Sequence, residues 1–153
     1  VGKKPELFRQ LMEAAISGTD VEVPALEREY VRAINSVPTA DEKLDLYAAA
    51  TTAIQGRLAP LFLVLREAAT ADEVIARLWA DISARRAANM RMLAAELRRT
   101  GQLRPDLSDE QTADIIWSMN AAEYYALLVR ERGWSDAQFQ EYLADAWKRV
   151  LLT

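Results

Sequence analysis

Residues 104–134 read RPDLSDEQTADIIWSMNAAEYYALLVRERGW, and their reading decides the fold. Ala113, Ile115, Ile116, Trp117, Met119, Ala121, Ala122, Tyr124, Tyr125, Ala126, Leu127, Leu128 and Val129 crowd its centre. On a helical wheel these residues fall on every side rather than on one stripe. A helix apolar all round must be covered all round. One side can face the chain's own core. The other then needs a second copy, a partner or a ligand.

The stretch opens with a capping box, Ser108–Gln111, in which Ser/Thr is followed three residues later by Glu/Gln. Downstream, Gly133–Trp134–Ser135 makes a short turn and Ser135–Gln138 a second box. The segment Asp136 to Leu152 then places Phe139, Tyr142, Leu143, Ala146, Trp147, Val150 and Leu151 on one broad face. Two long apolar segments joined by so short a turn are expected to lie antiparallel.

Upstream, Thr39–Glu42 and Thr70–Glu73 are further boxes of the same kind, and Gly101 and Gly133 stand where two helices should end. Thr39 to Ala69 carries Leu44, Tyr47, Thr51, Ile54, Leu58, Leu61, Phe62 and Leu65 at helical spacing. Pro60 interrupts it and frees the Gly56 carbonyl, so a bend there either wraps the core or opens a pocket. Asp72 to Thr100 carries Ile75, Leu78, Trp79, Ile82, Arg86, Asn89, Met90, Leu93 and Leu97 in one stripe. Arg86 and Asn89 sit where the wheel puts the core. Either Arg86 is satisfied internally, for instance by Glu123 or Asp114, or it snorkels outward, or it is a polar handle inside an apolar cavity. Nearer the start, helices are expected over Pro5 to Ile16 and about Ala25 to Asn35, with a linker over 17–24. Alternating strand patterns are missing. The fold class is all-α, in a single domain over 1–153.

Composition removes several kinds of chemistry. With no histidine and no cysteine among 153 residues, Ser–His and Cys–His nucleophiles, disulfides and the usual zinc sites are out of reach. Five glycines and no Gly-rich loop leave no phosphate cradle. Asp, Glu, Lys, Tyr and Ser remain, but no pair stands at a telling spacing. Neither an enzyme nor a metal site nor a cofactor is therefore expected. The net charge of −4 supplies no general attraction to nucleic acid or anionic lipid. The uncharged run from Leu46 to Gln55 is broken by polar neighbours and Arg57, so no membrane span is expected. No signal peptide opens the chain, and a start at Val1 points to a segment upstream.

In their order and spacing, several stretches are similar to one family. They are Leu103-Arg104-Pro105-Asp106-Leu107-Ser108, Ala113-Asp114, Trp117, Glu123-Tyr124, Leu127-Leu128-Val129 and Glu131-Arg132-Gly133-Trp134-Ser135, with Leu58-Ala59-Pro60-Leu61 and Arg66-Glu67-Ala68-Ala69 before them. Gly2, Lys4 and Leu7 look like the start of the helix that follows the family's helix-turn-helix. The chain resembles the C-terminal regulatory domain of TetR-type (tetracycline-repressor-like) transcriptional regulators. The resemblance implies a regulatory helical bundle whose two C-terminal helices pair with their copies in a four-helix dimer interface. It also implies a cytoplasmic repressor that meets operator DNA only through an N-terminal helix-turn-helix domain, absent here, with residues 1–4 as the remnant of the junction.

On that reading a small lipophilic or aromatic effector enters the bundle and shifts the DNA-binding heads off their half-sites. The expected ligand-binding residues are Tyr47, Thr51, Ile54, Leu58, Phe62, Leu65, Trp79, Arg86, Asn89, Met90, Leu93, Trp117, Asn120 and Tyr124. The expected interface of the homodimer is Ala113, Ile116, Leu127, Leu128, Phe139, Tyr142, Leu143, Ala146, Trp147 and Val150. The alternative is a ligand-free helical dimerisation or adaptor module that docks a protein partner.

Overall fold

The computed structural model describes residue 3, residues 6–10 and residues 28–153. Residues 6–10 are helical. The rest of the helix expected over Pro5 to Ile16, the linker over 17–24 and the start of the helix at Ala25 lie outside the described residues. Among those that are described, the elements are α1 (Glu29–Ser36), α2 (Ala40–Ala68), α3 (Glu73–Arg99), α4 (Asp109–Met119), α5 (Ala122–Tyr125), a π-helical turn (Ala126–Glu131) and α6 (Asp136–Leu151). The fold is all-α. Among the described residues its one β-type feature is an isolated antiparallel bridge between Leu103 and Leu152.

The central element is α2 rather than the stretch around Trp117. Leu44, Ala48, Thr51, Gln55, Leu58, Phe62 and Leu65 are all buried along it, in alternating steps of four and three residues. That spacing keeps one seam facing inward over the whole helix. Helices α1, α3, α5 and α6 all pack on α2. The helix runs unbroken through Pro60. By length and composition it is apolar enough to cross a membrane, despite Arg57, but 44% of that window is buried inside the fold. Here it serves as a core helix.

Capping explains most of the boundaries. The boxes at Thr39, Ser108 and Ser135 are all formed, each side chain accepting from the backbone N–H three residues on. The one expected at Thr70 is not. Asp72 caps α3 instead, accepting from the N–H groups of Val74 and Ile75, because a carboxylate two residues on is the stronger acceptor. The Thr70 hydroxyl turns back and donates to the Glu67 carbonyl at 2.7 Å. Gly101 and Gly133 take φ of +73° and +74°, the left-handed conformation that closes a helix and that only glycine adopts freely.

The expected continuous helix across 109–129 is broken. Asn120 caps α4, and Ala121 is extended at φ −69°, ψ 151° before α5 begins. The break turns successive apolar residues in different directions, so the chain itself encloses Ala113, Ile116, Ala122 and Tyr125. Only Leu127, 53% exposed, stands out as a large exposed apolar side chain of this stretch.

Helix α6 closes the core. Phe139, Leu143, Trp147 and Leu151 are fully buried, and the Trp147 ring stacks on Tyr47 with centroids 5.4 Å apart. Each such side chain is worth about 1.5–3 kcal/mol of burial. Lys148 fastens the same helix to α2 through Asp41 and Asp45 at 2.8 and 2.7 Å. The chain end is strapped to the loop after α3, where Arg104 N–H donates to the Leu151 carbonyl and Thr153 N–H to that of Gln102.

Candidate functional site

The break at Asn120 brings together a polar cluster in the interior. Asn120 is buried between α2 and α3. Its Nδ2 donates to the Tyr47 hydroxyl at 2.7 Å, and that hydroxyl donates to Met90 Sδ at 3.3 Å. Its carbonyl accepts from Gln55 Nε2 at 2.8 Å. Its Oδ1 accepts from an Arg86 Nη2 that also donates to the Trp117 carbonyl at 3.1 Å. One residue thereby ties together α2, α3 and the end of α4. Burial pushes the Tyr47 hydroxyl well above the ordinary tyrosine range, so it stays neutral.

Neither expected carboxylate bonds Arg86, although Glu123 acts on its charge through space. Glu123 pairs with Arg66, and Asp114 is exposed. The guanidinium lies over the Trp117 ring at 5.1 Å and the Phe62 ring at 5.9 Å. Carbonyl oxygens at the negative end of α4 and two ring faces stabilise the charge, but none of these cancels it. Its pKa is lowered, first by burial, which marks the cost of keeping it charged there.

Beside this cluster lies a cavity of about 80 Å³. Tyr47, Thr51, Ile54, Leu58, Phe62, Arg86, Asn89, Met90 and Asn120 all line it, as the spacing predicts. Arg28, Tyr30 and Gln55 line it too, and were not anticipated. Gln55 is only 3% exposed, and its Oε1 is buried with no hydrogen-bond partner. The bond from Nε2 to the Asn120 carbonyl fixes which end of the amide points where. What remains is a buried acceptor without a donor, in a side chain that lines the cavity. A second, neighbouring space of about 320 Å³ shares Tyr30, Tyr47, Asn89 and Met90 and lies along α1 and α3 beside Leu93.

Other expected ligand residues stand elsewhere. Leu65 is fully buried core. Trp79 packs edge-on against Phe62, behind the wall, and Trp117 lies beneath the guanidinium. Tyr124 is directed to α6, where its hydroxyl meets that of Tyr142 at 3.0 Å, so it takes no part in the cavity lining.

The expected dimer face divides in two. Ala113, Ile116, Phe139, Leu143 and Trp147 are enclosed by their own chain and present no surface to a partner. Placing arginine at Trp147 would therefore break the core rather than test an interface. Tyr142 and Val150 are 39% and 38% exposed, with Ala146 half-buried between them. Their steps of four residues make a stripe along the flank of the buried one. Leu127 is exposed and Leu128 half-buried on the adjoining π-helical turn.

No family model, curated protein or solved structure matches the chain.

Proposed function

We propose that this chain is the effector-sensing and homodimerising domain of a TetR-type transcriptional regulator, a non-enzymatic cytoplasmic repressor that reaches operator DNA through a separate helix-turn-helix domain. The observation that carries the reading is the cavity at Asn120. Apolar walls there surround a guanidinium bonded to no carboxylate and an amide oxygen without a donor. Few polar groups in an apolar pocket is the usual design of a small-molecule site.

The same cluster supplies a route for the signal. A ligand that engages Arg86 competes with Asn120 Oδ1, and Asn120 holds the break between α4 and α5. Its rearrangement shifts α5 and the π-helical turn, which bear Leu127 and Leu128 beside the flanking stripe of α6. Ligand and DNA then select different populations of the dimer. Each weakens binding of the other by the same factor.

Native mass spectrometry and sedimentation test the assembly. The wild-type chain is expected to be a dimer at micromolar concentration. The double variant Tyr142→Glu, Val150→Glu is expected to be a monomer with unchanged circular dichroism, since both side chains lie outside the core. A wild-type monomer, or a dimer that persists in the variant, contradicts the assignment of this face.

A further inference from the structure

Building on the sensing role proposed above, we infer that the cavity takes an amphiphilic carboxylate with a hydroxyl close to its head group: the carboxylate on Arg86, the hydroxyl on Gln55 and an apolar body along α1 and α3. Three features lead there independently. Arg86 is bonded by no described carboxylate, Glu123 acting on it only through space while paired with Arg66, and no Asp or Glu lines the cavity of about 80 Å³. Arg28, also in the wall, adds charge of the same sign and is engaged by a partner of its own. A partly buried cation among apolar walls lacks a bonded counter-charge, and the planar guanidinium fork matches a carboxylate.

Gln55 supplies the second feature. Its Oε1 can only accept, so what meets it must donate. Gln55 and Arg86 are both hydrogen-bonded to Asn120, one at its carbonyl and the other at Oδ1. The donor on the ligand therefore lies only a few bonds from its carboxylate. A β-hydroxy acid has that arrangement. The third feature is the neighbouring space of about 320 Å³, where Val31, Ile34, Met92 and Leu93 make an apolar wall with Glu96 and Arg99 among the other lining residues. A chain of medium length fits there. A highly charged phosphate head is disfavoured at the other end, where Ile54, Leu58 and Phe62 make the surroundings apolar.

Titration calorimetry with β-hydroxydecanoate, decanoate and decanol separates the contributions. β-Hydroxydecanoate should bind about threefold tighter than decanoate, and decanoate at least about tenfold tighter than decanol, as expected for one neutral and one charge-assisted hydrogen bond. Gln55→Met should erase the first preference and Arg86→Met the second. Arg86→Lys, which keeps the charge without the fork, should retain part of the second and guards against a folding failure in Arg86→Met. Decanol binding as tightly as decanoate overturns the carboxylate assignment while leaving a lipophile sensor in place. Equal binding of the two acids overturns the role of Gln55 alone. No binding by any of the three compounds overturns both this inference and the sensing role.

Discussion

Arg86 and Arg98 lie on one helix, roughly three turns apart, and both reach across to α4. Arg98 meets its first turn, pairing with Asp109 at 2.7 Å and donating to the carbonyls of Arg104, at 3.3 Å, and Leu107. Every edge of that guanidinium is used, and its charge is cancelled. Arg86 meets the other end of α4 and finds a carbonyl, an amide oxygen and two rings. The same side chain thus serves once as a completed joint and once as a charge with no bonded carboxylate, beside an empty space. What separates the two arginines is a bonded counter-charge, not burial alone.

Removing Arg98 should give the largest effect. Arg98→Met leaves the Arg104 and Leu107 carbonyls without this donor and is expected to cost about 2 kcal/mol of stability in urea unfolding. Binding of β-hydroxydecanoate to the folded protein should be unaffected. Asn120→Asp makes Arg86 resemble Arg98 by giving it a carboxylate. Affinity for β-hydroxydecanoate should fall about tenfold, or about 1.4 kcal/mol, in calorimetry; an unchanged affinity would mean that Arg86 does not hold the head group. Arg86→Met should be the mildest in stability, within about 1 kcal/mol of wild type, because lost hydrogen bonds are offset by relief of charge burial. A loss equal to that of Arg98→Met would make Arg86 a second structural joint and erase the contrast.

Much of this was legible in the sequence because capping and periodicity act locally. Thr39, Ser108 and Ser135 start their helices as their Glu/Gln partners foretell, and Gly101 and Gly133 end theirs. Thr70 misled because a capping pattern does not weigh a competing acceptor, and Asp72 stood two residues on. The break at Asn120 was hidden for another reason. A wheel presumes a straight helix, and Ala121–Ala122 is a good helical sequence; only the asparagine, a residue that tolerates a helix end, marked the place. The wheel also cannot tell which of two apolar faces meets the chain itself. On α6 it grouped Trp147 with Tyr142, and the fold buries the first and exposes the second.

Within the cavity, residues on the α2 seam and the Arg86 stripe were found by spacing, since a helical face is a local property. Gln55 lies on the same seam as Thr51 and Leu58, with polarity like that of Thr51, and its spacing alone could have found it. Tyr124 was misassigned because its direction depends on the break.

The contrast between the two arginines is most directly measured by NMR, following the Nε–H resonances of Arg86 and Arg98 while β-hydroxydecanoate is added. A saturable shift of Arg86 together with the Gln55 side-chain amide, and a stationary Arg98, is the predicted result. A stationary Arg86, or equal movement of both arginines, would contradict it.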